Sequence, residues 1–399
     1  MPRIAFLTNC IPPYHKPVLD ALADRYGREN FRILLSTPME SNRCWALEWD
    51  GLDVVVQRTV TMRGRWKHPR GFRESTHVHF PLNTFSQLRK FSPDVVIATE
   101  LGFRSLSAVT FTKVRRSSKV ILWTEVNEST EHGRGLARKI LRKMLVRHAH
   151  GFLALGRGGM RYIESLGAAP QKIFELLYTT DVSRFAASGQ PSALSDQPSG
   201  SEKRLLYVGQ LIERKGLLQF TAALKQWAAR NPNQEIELVF AGSGPLREML
   251  QTQAVPPNLR LEFLGDVPYG DLPGVYATSG VLVFPTLADT WGVVVNEGLA
   301  AGLPVLGSIH SQAVQHLVAD GRNGWTFRPD SFEETYQVIH RCLTSPAETL
   351  QAMRSAARHA GLELTPDRVA NMIQAAIESC LNSPNRQFAG EQKICVPPM

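Results

Sequence analysis

The sequence predicts an α/β protein with two domains, each built on a parallel β-sheet that helices cover on both faces. Short apolar runs rich in β-branched residues alternate with amphipathic runs of helical spacing along most of the chain. The chain has 399 residues, more than one domain of ordinary size usually contains. Its composition also changes sharply once, near the middle. These three observations favour two α/β domains in tandem.

The first half contains six runs that we predict as strands. Amphipathic stretches such as PVLDALADRYG (17–27) and LARKILRKMLVRHA (136–149) are the predicted helices between them. The predicted strands are RIAFLTN (3–9), FRILLST (31–37), LDVVVQRTV (52–60), PDVVIATE (93–100), KVILWTEV (119–126) and GFLALG (151–156).

The second half repeats this alternation with five predicted strands. Its predicted helices include KGLLQFTAALKQWAAR (215–230) and PLREMLQTQA (245–254). The predicted strands are RLLYVG (204–209), EIELVFAG (235–242), LRLEFLG (259–265), VLVFPT (281–286) and LPVLGS (303–308).

The composition change lies at ASGQPSALSDQPSGSEK (187–203), which has no aromatic residue and is dense in Ser, Gly, Pro and Gln. This is linker composition. We therefore predict an N-terminal domain at 1–186, a C-terminal domain at 204–382, whose last helices pack back on the first domain, and a flexible tail at 383–399. The domains should face each other across a cleft that holds the sites, because open α/β sheets bind ligands at the carboxyl ends of their strands.

The net charge of +9 is unevenly distributed. Residues 1–190 hold 29 Lys and Arg against 16 Asp and Glu, whereas residues 191–399 hold 16 against 20. A basic first half indicates an anionic partner on that side, such as a phospholipid surface, an anionic lipid-linked substrate or a nucleic acid.

Several protein classes are disfavoured. No stretch approaches the roughly 20 unbroken apolar residues of a membrane span, and Pro12-Pro13 interrupts the N-terminus too early for a signal peptide. The five cysteines are scattered without paired spacing, which predicts reduced thiols in a cytoplasmic protein and no zinc site.

Chemistry-bearing residues follow three predicted strands of the second half. Each group contains glycines that let the backbone turn tightly or approach a ligand, and a strand that leads into a helix N-terminus is suited to anions. One such loop nevertheless carries two carboxylates, in DTWGVVVNE. The residues are Gly209, Arg214, Lys215 and Gly216 after the first strand, Gly242 and Gly244 after the second, and Asp289, Gly292 and Glu297 after VLVFPT.

These motifs resemble the nucleotide-sugar-binding domain of glycosyltransferase family 4 over about 204–330. The resemblance rests on VGQLIERKG, FAGSGPLREML, FLGDV, VFPTLADTWGVVVNEGLAAGLPVLGS and LVADGRNGWTF, in that order. It implies the GT-B arrangement, in which two Rossmann-like domains face each other, and sugar transfer with retention of anomeric configuration. The N-terminal TNCIPPYHKPVLDAL resembles more loosely the opening of bacterial members that build surface polysaccharides.

The resemblance implies a role for both carboxylates. Asp289 and Glu297 match the ends of the family's acid-x7-acid motif, so Asp289 should accept from donor-sugar hydroxyls and Glu297 from the ribose. The diphosphate should lie on the N–H groups after Gly292 and near Lys215. The alternative is a helix that begins with ordinary acidic residues favoured by its dipole. The implied donor-binding set is Gly209, Gln210, Arg214, Lys215, Gly242, Gly244, Asp289, Gly292, Val293, Val294 and Glu297.

Four positions depart from the family pattern. Asp289 stands where glutamate is usual, and Gln210 stands where an arginine commonly contacts the diphosphate, although Arg214 could replace that charge. Thr124 and Glu125 stand where many members have a histidine. The glycine-rich N-terminal loop of the family is CIPPYHKP in this chain.

The catalytic residues that we predict are Lys215, Asp289 and Glu125. Lys215 and the helix N-terminus would stabilise charge on the departing phosphate, and the family's favoured scheme is same-face attack assisted by that phosphate. Glu125, at the end of a strand of the acceptor domain, would orient the acceptor or assist its deprotonation. The alternative for Glu125 is a structural ion pair with an arginine. We also place Tyr14, His15 and Lys16 on the acceptor side of the cleft.

No cofactor or metal is expected beyond the nucleotide sugar as co-substrate. The chain lacks the DxD pair with which the other major glycosyltransferase fold usually holds its metal. His77 and His79 alternate as on a strand and could point the same way, but no third ligand lies near them in the sequence, so we interpret them as structural.

Two basic clusters, at 61–75 and 132–150, combine cations with aromatic or apolar residues. This combination suits contact with anionic lipid headgroups at the cytoplasmic face of the inner membrane, and the alternative is a solvated basic face on an ordinary packed helix. No recognition motif supports nucleic-acid binding. The residues that we predict to face the membrane are Arg63, Arg65, Trp66, Lys67, Arg138 and Arg142.

We therefore expect the protein to be a retaining glycosyltransferase. It would transfer a sugar to a lipid-linked saccharide acceptor in surface-polysaccharide assembly. Two alternatives stay open. One is another enzyme on the same architecture, a nucleotide-sugar epimerase or a phosphorylase. The other is a non-catalytic protein that binds a nucleotide sugar without turnover.

Overall fold

The computed structural model describes residues 1–40, 43, 45, 47, 49–131, 135–188 and 203–383. It contains two parallel sheets flanked by helices, so the predicted α/β fold class with two Rossmann-like domains is confirmed. The predicted linker at 187–203 and the predicted tail at 383–399 lie almost entirely outside the described residues.

The first domain contains a sheet of seven parallel strands in the order β3-β2-β1-β6-β7-β8-β9. The strands of this domain are β1 (Ile4–Thr8), β2 (Phe31–Leu35), β3 (Asp53–Val56), β4 (Thr59–Lys67), β5 (Arg73–Pro81), β6 (Val95–Thr99), β7 (Lys119–Thr124), β8 (Gly151–Leu155) and β9 (Ile173–Leu176). Of these, β4 and β5 pair only with each other. Its helices are α1 (Lys16–Tyr26), α2 (Thr84–Phe91), α3 (Phe103–Val114), α4 (Glu128–Glu131), α5 (Leu136–His148), α6 (Gly156–Ser165) and α7 (Val182–Ser188).

The second domain contains six parallel strands in the order β12-β11-β10-β13-β14-β15. Its strands are β10 (Leu205–Val208), β11 (Ile236–Ala241), β12 (Leu259–Gly265), β13 (Val281–Phe284), β14 (Val305–Ser308) and β15 (Gly324–Phe327). Its helices are α8 (Leu217–Arg230), α9 (Arg247–Thr252), α10 (Leu272–Ala277), α11 (Val293–Ala300), α12 (Gln312–Leu317), α13 (Phe332–Leu343), α14 (Ala347–Glu363) and α15 (Pro366–Asn382).

The central strands are mostly apolar, with polar residues such as Thr8 and Thr124 at their ends, because helices cover both faces of each sheet. In β1, Ile4 and Phe6 enter one hydrophobic cluster, whereas Ala5 and Leu7 enter the cluster on the opposite face. Alternate side chains of a strand point to opposite faces. A strand buried on both sides therefore needs consecutive apolar residues along its interior, and this is the signal that the sequence carries.

The last helix, α15, packs against α1 and against strands β7, β8 and β9 of the first domain. Arg25 of α1 lies 3.2 Å from Asp367 and 3.2 Å from Gln374 of α15. Apolar side chains of α15 also belong to the cluster that includes Ile4 and Phe6. The chain therefore returns to the first domain after completing the second.

The antiparallel hairpin β4–β5 was not predicted. Its strands pair from Thr59 opposite Pro81 to Lys67 opposite Arg73 and belong to neither parallel sheet. Most of β4 is exposed, so it lacks the apolar alternation that identifies a strand packed on a core. At the tip, Phe72 is buried against Leu287 and Ala288 of the second domain, and this long-range contact is invisible in the local sequence.

Two further features bear on the expectations from sequence. Cys10, Cys342 and Cys380 are buried free thiols, whereas Cys44 and Cys395 lie outside the described residues. Within the described ranges, no helix is long and apolar enough to cross a membrane.

Candidate active site

A cleft of about 990 Å³ lies between the two domains and is lined by side chains from both. Residues that follow β10, β11 and β13 form its second-domain wall, and residues that follow β7 lie on the opposite side. The predicted donor-binding residues all line this cleft except Gly244. Both sheets therefore present the carboxyl ends of their strands to one cavity, as expected for this fold.

The loops after β10 and β11 approach each other so closely that side chains would not fit. Gly242 has a φ of 146°, and a Cβ on it would lie 2.0 Å from the carbonyl oxygen of Gly209. Gly244 has a φ of 152°, and its Cβ would lie 2.5 Å from the carbonyl oxygen of Leu211. The glycines of FAGSG are therefore required by backbone packing, whether or not they also contact a ligand.

Helix α11 begins at the floor of the cleft, directly after β13 and its loop. Gly292 caps it with a φ of 108°, and a Cβ there would lie 2.6 Å from the ring of Phe284. Val293 and Val294 form the first turn and line the cleft. Their N–H groups belong to the first turn, which has no intrahelical acceptor for them, and the helix dipole adds positive potential at this point. This combination favours an anion.

Asp289 is held by two cations beside this helix N-terminus. Lys215 Nζ donates to Asp289 Oδ2 at 2.5 Å, and Arg214 Nη1 lies 3.2 Å from the same oxygen. Burial alone would raise the pKa of Asp289, but Lys215 and Arg214 outweigh it and lower the pKa to about 2. The carboxylate is therefore ionised. Both cations contact the same oxygen atom, Oδ2 of Asp289.

Glu297 lies one helical turn further along α11 and is only 4% exposed. Tyr276 Oη donates to its Oε2 at 2.7 Å. Burial raises the pKa of Glu297 to about 7, and the hydrogen bond from Tyr276 only partly opposes this rise. Glu297 thus changes its charge near neutral pH in the absence of a ligand.

Gln210 and Gly209 lie at the end of β10 and line the cleft. Tyr207 Oη donates to the carbonyl oxygen of Gln210 at 2.8 Å, which holds the loop in place. Arg214 is turned toward the loop after β13, where its Nη1 donates to the carbonyl oxygen of Ala288 at 2.8 Å. The charge that Gln210 lacks is thus present nearby on Arg214.

Glu125 faces the cleft from the first domain, directly after β7. Tyr178 Oη donates to Glu125 Oε1 at 2.5 Å, and Trp123 Nε1 donates to Tyr178 Oη at 2.9 Å. Burial raises the pKa of Glu125, against the opposing effect of the Tyr178 hydrogen bond. In the part of the chain that the structure describes, this carboxylate is hydrogen-bonded to a tyrosine and not paired with the arginine considered as an alternative.

Buried hydrogen bonds connect the loop that carries Trp291 to Tyr178, the partner of Glu125. Trp291 Nε1 donates to Asn296 Oδ1 at 2.9 Å, and Asn296 Nδ2 donates to the carbonyl oxygen of Tyr178 at 3.0 Å. Trp291 and Asn296 belong to the second domain, whereas Tyr178 belongs to the segment that leads out of the first. These hydrogen bonds therefore cross between the domains and fix the main chain of Tyr178, whose side chain donates to Glu125.

The expectation that His15 and Lys16 face the cleft is wrong. His15 packs edge-on against Tyr178, with ring centroids 4.6 Å apart, and its Nε2 atom is buried. Burial lowers its pKa to about 4, so the ring is neutral. Lys16 pairs with Asp20 at 2.7 Å on α1. Tyr14 alone of the three lines the cleft.

The predicted membrane-facing role of Arg142 is also wrong. Arg142 is 2% exposed, pairs with Glu131 and donates to Tyr162 Oη. Arg142, Arg138 and Trp66 line the cleft. Arg63, Arg65 and Lys67 are exposed on β4. The helical face that carries Arg138 and Arg142 thus points toward the cavity, which a count of charges along the sequence does not reveal.

His77 and His79 both line the cleft. His79 contacts Glu40 at 3.0 Å and Thr61 at 2.8 Å. In the part of the chain that the structure describes, no group of three or more His, Cys, Asp or Glu side chains is arranged to hold a metal ion.

Sequence reasoning missed several residues that shape the cleft. Tyr276, Tyr178 and Asn296 were not singled out, although Asn296 directly precedes Glu297 in the quoted motif, because only their distant partners give them a role. Arg70, at the hairpin tip, donates to the carbonyl oxygen of Leu287 and lies 3.1 Å from His310 Nδ1. The hairpin tip therefore contacts the loop that carries Asp289. The basic, aromatic composition of 61–75 was a signal, but it indicated an anionic partner and not this contact.

The comparisons with known proteins agree with this geometry. Residues 195–360 match the family model described as Glycosyl transferases group 1. An uncharacterized glycosyltransferase of Methanocaldococcus jannaschii is 31% identical over 134 residues, which are 33% of this chain and 34% of that protein. A GDP-mannose-dependent alpha-mannosyltransferase of Corynebacterium glutamicum is 25% identical over 268 residues, 66% of this chain and 62% of that protein.

A third relative, a putative colanic acid biosynthesis glycosyltransferase of Salmonella typhimurium, is 26% identical over 171 residues, 41% of this chain and 40% of that protein. Each of these matches thus spans less than two thirds of the relative's length.

Solved structures resemble the whole chain. HepE of Anabaena in complex with UDP has a TM-score of 0.72 at 19% identity, over 94% of this chain and 100% of that chain. The apo form of the lipopolysaccharide outer core galactosyltransferase WaaB has a TM-score of 0.67 at 13% identity, over 94% and 99% of the two chains. The protein therefore has the GT-B fold, and its second domain matches the group 1 glycosyltransferases.

Proposed function

We propose that this protein is a retaining glycosyltransferase of family 4, which transfers a sugar from a nucleoside-diphosphate donor to a lipid-linked saccharide in cell-surface polysaccharide assembly. The observation that carries the proposal is the arrangement at α11. Lys215, Arg214, Asp289, Glu297 and the first turn of the helix line one cleft, and we propose that a diphosphate binds to the cations and the helix N–H groups, between the two acids.

The chemistry of donor binding follows from this arrangement. The diphosphate lies against the N–H groups of Val293 and Val294 and draws Lys215 Nζ from its contact with Asp289. Asp289 then accepts from hydroxyls of the donor sugar, and Glu297 accepts from the ribose. The acids bind the two hydroxyl-bearing ends of the donor while the cations bind its centre.

In the transfer step, the bond between the anomeric carbon and the β-phosphate oxygen breaks. The acceptor hydroxyl attacks on the face from which the phosphate departs, and its proton passes to a phosphate oxygen. Lys215 and the N-terminus of α11 stabilise the growing negative charge by electrostatic preorganisation. Glu125, across the cleft, orients the acceptor hydroxyl.

The finer parts of the proposal rest on the relatives. The structural neighbour from Anabaena binds UDP, and the mannosyltransferase from Corynebacterium is named for GDP-mannose, so both bases are candidates for the donor. Colanic acid and the lipopolysaccharide core named in the other matches are cell-surface saccharides. We place the enzyme at the cytoplasmic face of the inner membrane, where such acceptors would be presented.

The first test is a thermal-shift screen with UDP, GDP, ADP and CDP and their common sugar conjugates. A ligand at about 100 times its dissociation constant should add roughly 2.7 kcal/mol of apparent stability. The stabilising conjugate, labelled in its sugar, is then incubated with lipid-linked saccharides, and proton NMR reads the anomeric configuration of the product. Transfer with retention supports the proposal.

Other results would assign other functions. Stabilisation without any turnover would leave a binding protein, and conversion of the donor sugar without an acceptor would indicate an epimerase. Turnover that strictly requires inorganic phosphate would indicate a phosphorylase. If no nucleotide stabilises the protein, the donor site itself is refuted.

A further inference from the structure

Four neighbouring strands of the first-domain sheet end around one buried arginine. In the order β2-β1-β6-β7, the carboxyl ends of these strands form one continuous edge, and Ser36, Asn9 and Glu100 directly follow β2, β1 and β6. Arg104, in the first turn of α3, donates to Ser36 Oγ at 2.8 Å and to Asn9 Oδ1. Its Nη2 atom lies 2.7 Å from Glu100 Oε2. Because Arg104 is only 2% exposed, this polar network is part of the packed domain.

Glu100 has an unusual backbone conformation. Its φ is 68°, in the left-handed region, and among the described residues other than glycine only Ser92 also has a positive φ. This conformation costs energy for a residue with a Cβ and often marks functional sites. Asn9 Nδ2 donates to Glu100 Oε1 at 2.7 Å, which fixes the side chain from a second direction. The side chain is 52% exposed and lines the cleft, so the strained backbone holds a carboxylate at the cavity surface.

Two buried polar atoms beside Glu100 have no hydrogen-bond partner within the described ranges. One is Oγ1 of Thr124, the last residue of β7, which is 0% exposed. The other is Nε of Arg104. Both residues line the cleft. A buried polar group without a partner is costly, so the two atoms indicate that a polar molecule binds at this edge of the cavity.

The charges at this edge restrict the chemistry of that molecule. Glu125 directly follows Thr124, and the adjacent strands β6 and β7 lie about 4.8 Å apart, so two carboxylates line the same part of the cleft. Burial raises the pKa of Glu125, and the negative charge of Glu100 adds to this rise. The hydrogen bond from Tyr178 and the charge of Arg104 oppose it. Since Arg104 balances only Glu100, the edge offers acceptors for hydroxyl groups but no net positive charge for an anion.

We propose that Glu100 and Thr124, together with Glu125, bind hydroxyl groups of a neutral sugar residue at the reacting end of the acceptor. The inference rests on the proposed function, since it takes the first-domain wall as the acceptor side. Carboxylates accept from sugar hydroxyls, and the threonine hydroxyl donates to a sugar oxygen. A sugar that carries a carboxylate, such as a uronic acid, meets like charge at this edge and binds more weakly.

The two strand ends divide the work of acceptor binding. Glu125 orients the attacking hydroxyl, whereas Glu100 and Thr124 fix neighbouring hydroxyls of the same ring. The fixed ring presents one hydroxyl to the donor, so Glu100 and Thr124 act in the choice of acceptor and not in the transfer step itself. Their loss should weaken sugar binding and leave nucleotide binding unchanged.

The experiment measures sugar binding without transfer. Saturation-transfer NMR titrates the full chain, with and without the nucleoside diphosphate that stabilises it best, against the methyl glycosides of glucose, galactose, mannose and their uronic acids. We expect at least one neutral glycoside to bind, and the matching uronic acid to bind at least about 10-fold more weakly. If no neutral glycoside binds, or if a uronic acid binds as tightly as its neutral counterpart, the proposal is overturned.

Two variants locate the site. Glu100→Gln keeps the shape of the side chain but removes its charge, and it should weaken binding of the neutral glycoside about 10-fold. Thr124→Val removes only the hydroxyl and should weaken binding about 5-fold. Because Thr124 Oγ1 has no partner in the described part of the protein, Thr124→Val should not lower the melting temperature. A structural role of this hydroxyl predicts a lower melting temperature.

Thr221→Val is the matched control. Thr221 is also 0% exposed, and its Oγ1 atom likewise has no partner in the region that the structure describes. It lies on α8 of the second domain and is not among the residues that line the cleft. The control should match Thr124→Val in melting temperature and the native protein in sugar binding. Equal sugar affinity in Glu100→Gln, Thr124→Val and the control would overturn the proposal.

The thermal shift with nucleotide separates this inference from the proposed function. If nucleotide binds but sugar binding does not depend on Glu100 and Thr124, the inference fails and the proposed transfer reaction stands. If sugar binds through these residues but no nucleotide binds, the proposed function fails and the sugar site stands. If the two variants weaken binding of the nucleotide sugar but not of the free nucleotide, the residues hold the donor sugar, and the inference fails.

Discussion

The two domains share one architecture but differ in how their loops acquire function. In the second domain, the strands β10, β11 and β13 lead through loops with glycines into helices, so the groups that would bind the donor are close in sequence to the strands that place them. In the first domain, the cleft wall combines the β4–β5 hairpin, Tyr14 and a tyrosine–carboxylate pair 53 residues apart. Local chemistry thus identifies one wall and not the other.

The charges differ in the same way. The buried cations of the second-domain wall meet one carboxylate at a single point, whereas the cations of the first domain are divided between the cleft rim and the exposed face of α5. The net charge of each half of the sequence revealed the excess of cations in the first half. It could not show which face of a helix carries them. The following predictions test this contrast, from the largest expected effect to the smallest.

Asp289→Ala should cost about 3–5 kcal/mol of unfolding free energy, because it leaves Lys215 and Arg214 poorly solvated and without the carboxylate. Urea unfolding measures this loss. Asp20→Ala removes the more exposed ion pair with Lys16 in the first domain and should cost less than about 0.5 kcal/mol. Equal losses at the two positions would contradict the distinction between the donor-site cluster and ordinary ion pairs.

Glu297→Gln should stabilise the protein at pH 8 by an amount on the order of 3 kcal/mol while weakening nucleotide binding. The pKa of Glu297 is raised to about 7 in the folded protein. The stability that this proton provides is complete below the unfolded pKa near 4.5 and is lost as the pH rises through 7. The glutamine side chain is neutral at every pH, so the variant does not lose this stability as the pH rises. Melting temperatures across this range, with and without nucleotide, measure both effects.

The native protein should also bind nucleotide more tightly as the pH rises through 7, because the ribose hydroxyls donate to the ionised form of Glu297. Tyr276→Phe removes a hydrogen bond that favours ionisation and should move this midpoint to higher pH. A nucleotide-binding constant that does not change with pH would contradict the assignment of Glu297 to the ribose site.

Phe72→Ala should cost about 2 kcal/mol, less than a core substitution, since the cluster at the hairpin tip is small. The hairpin tip would release the loop that carries Asp289. We therefore expect weaker nucleotide binding by calorimetry as well as lower stability. Phe85→Ala removes a partly exposed ring of the first domain that contacts Phe111 and lies away from the Asp289 loop; it serves as the control, with no effect on nucleotide binding expected.

Tyr178→Phe should have the smallest effect on stability, about 1 kcal/mol, and a clear effect on the pH dependence of transfer. Without the hydroxyl, the already raised pKa of Glu125 rises further, so the acid limb of the kcat profile should move to higher pH. Tyr26→Phe is the control, because the buried Tyr26 hydroxyl has no hydrogen-bond partner in the described part of the chain. An unshifted profile in Tyr178→Phe would exclude Glu125 as the titrating group.

The limits of sequence reasoning follow from the same contrast. The buried strands were visible because the interior of a two-sided strand is mostly apolar, and the glycine loops were visible because their backbones nearly touch. Strands β9 and β15 were missed because their four residues, IFEL and GWTF, do not form an unbroken apolar run. His15 was misplaced because the direction of a side chain near a helix start depends on packing with Tyr178, which is far away in sequence.

The most direct test of the central claim is a crystal structure of the protein with the nucleoside diphosphate that stabilises it best. We predict that the β-phosphate accepts from Lys215 Nζ and from the N–H groups of Val293 and Val294, and that the ribose hydroxyls donate to Glu297. A nucleotide whose phosphates lie instead on Arg138 and Arg142, across the cleft, would contradict the account.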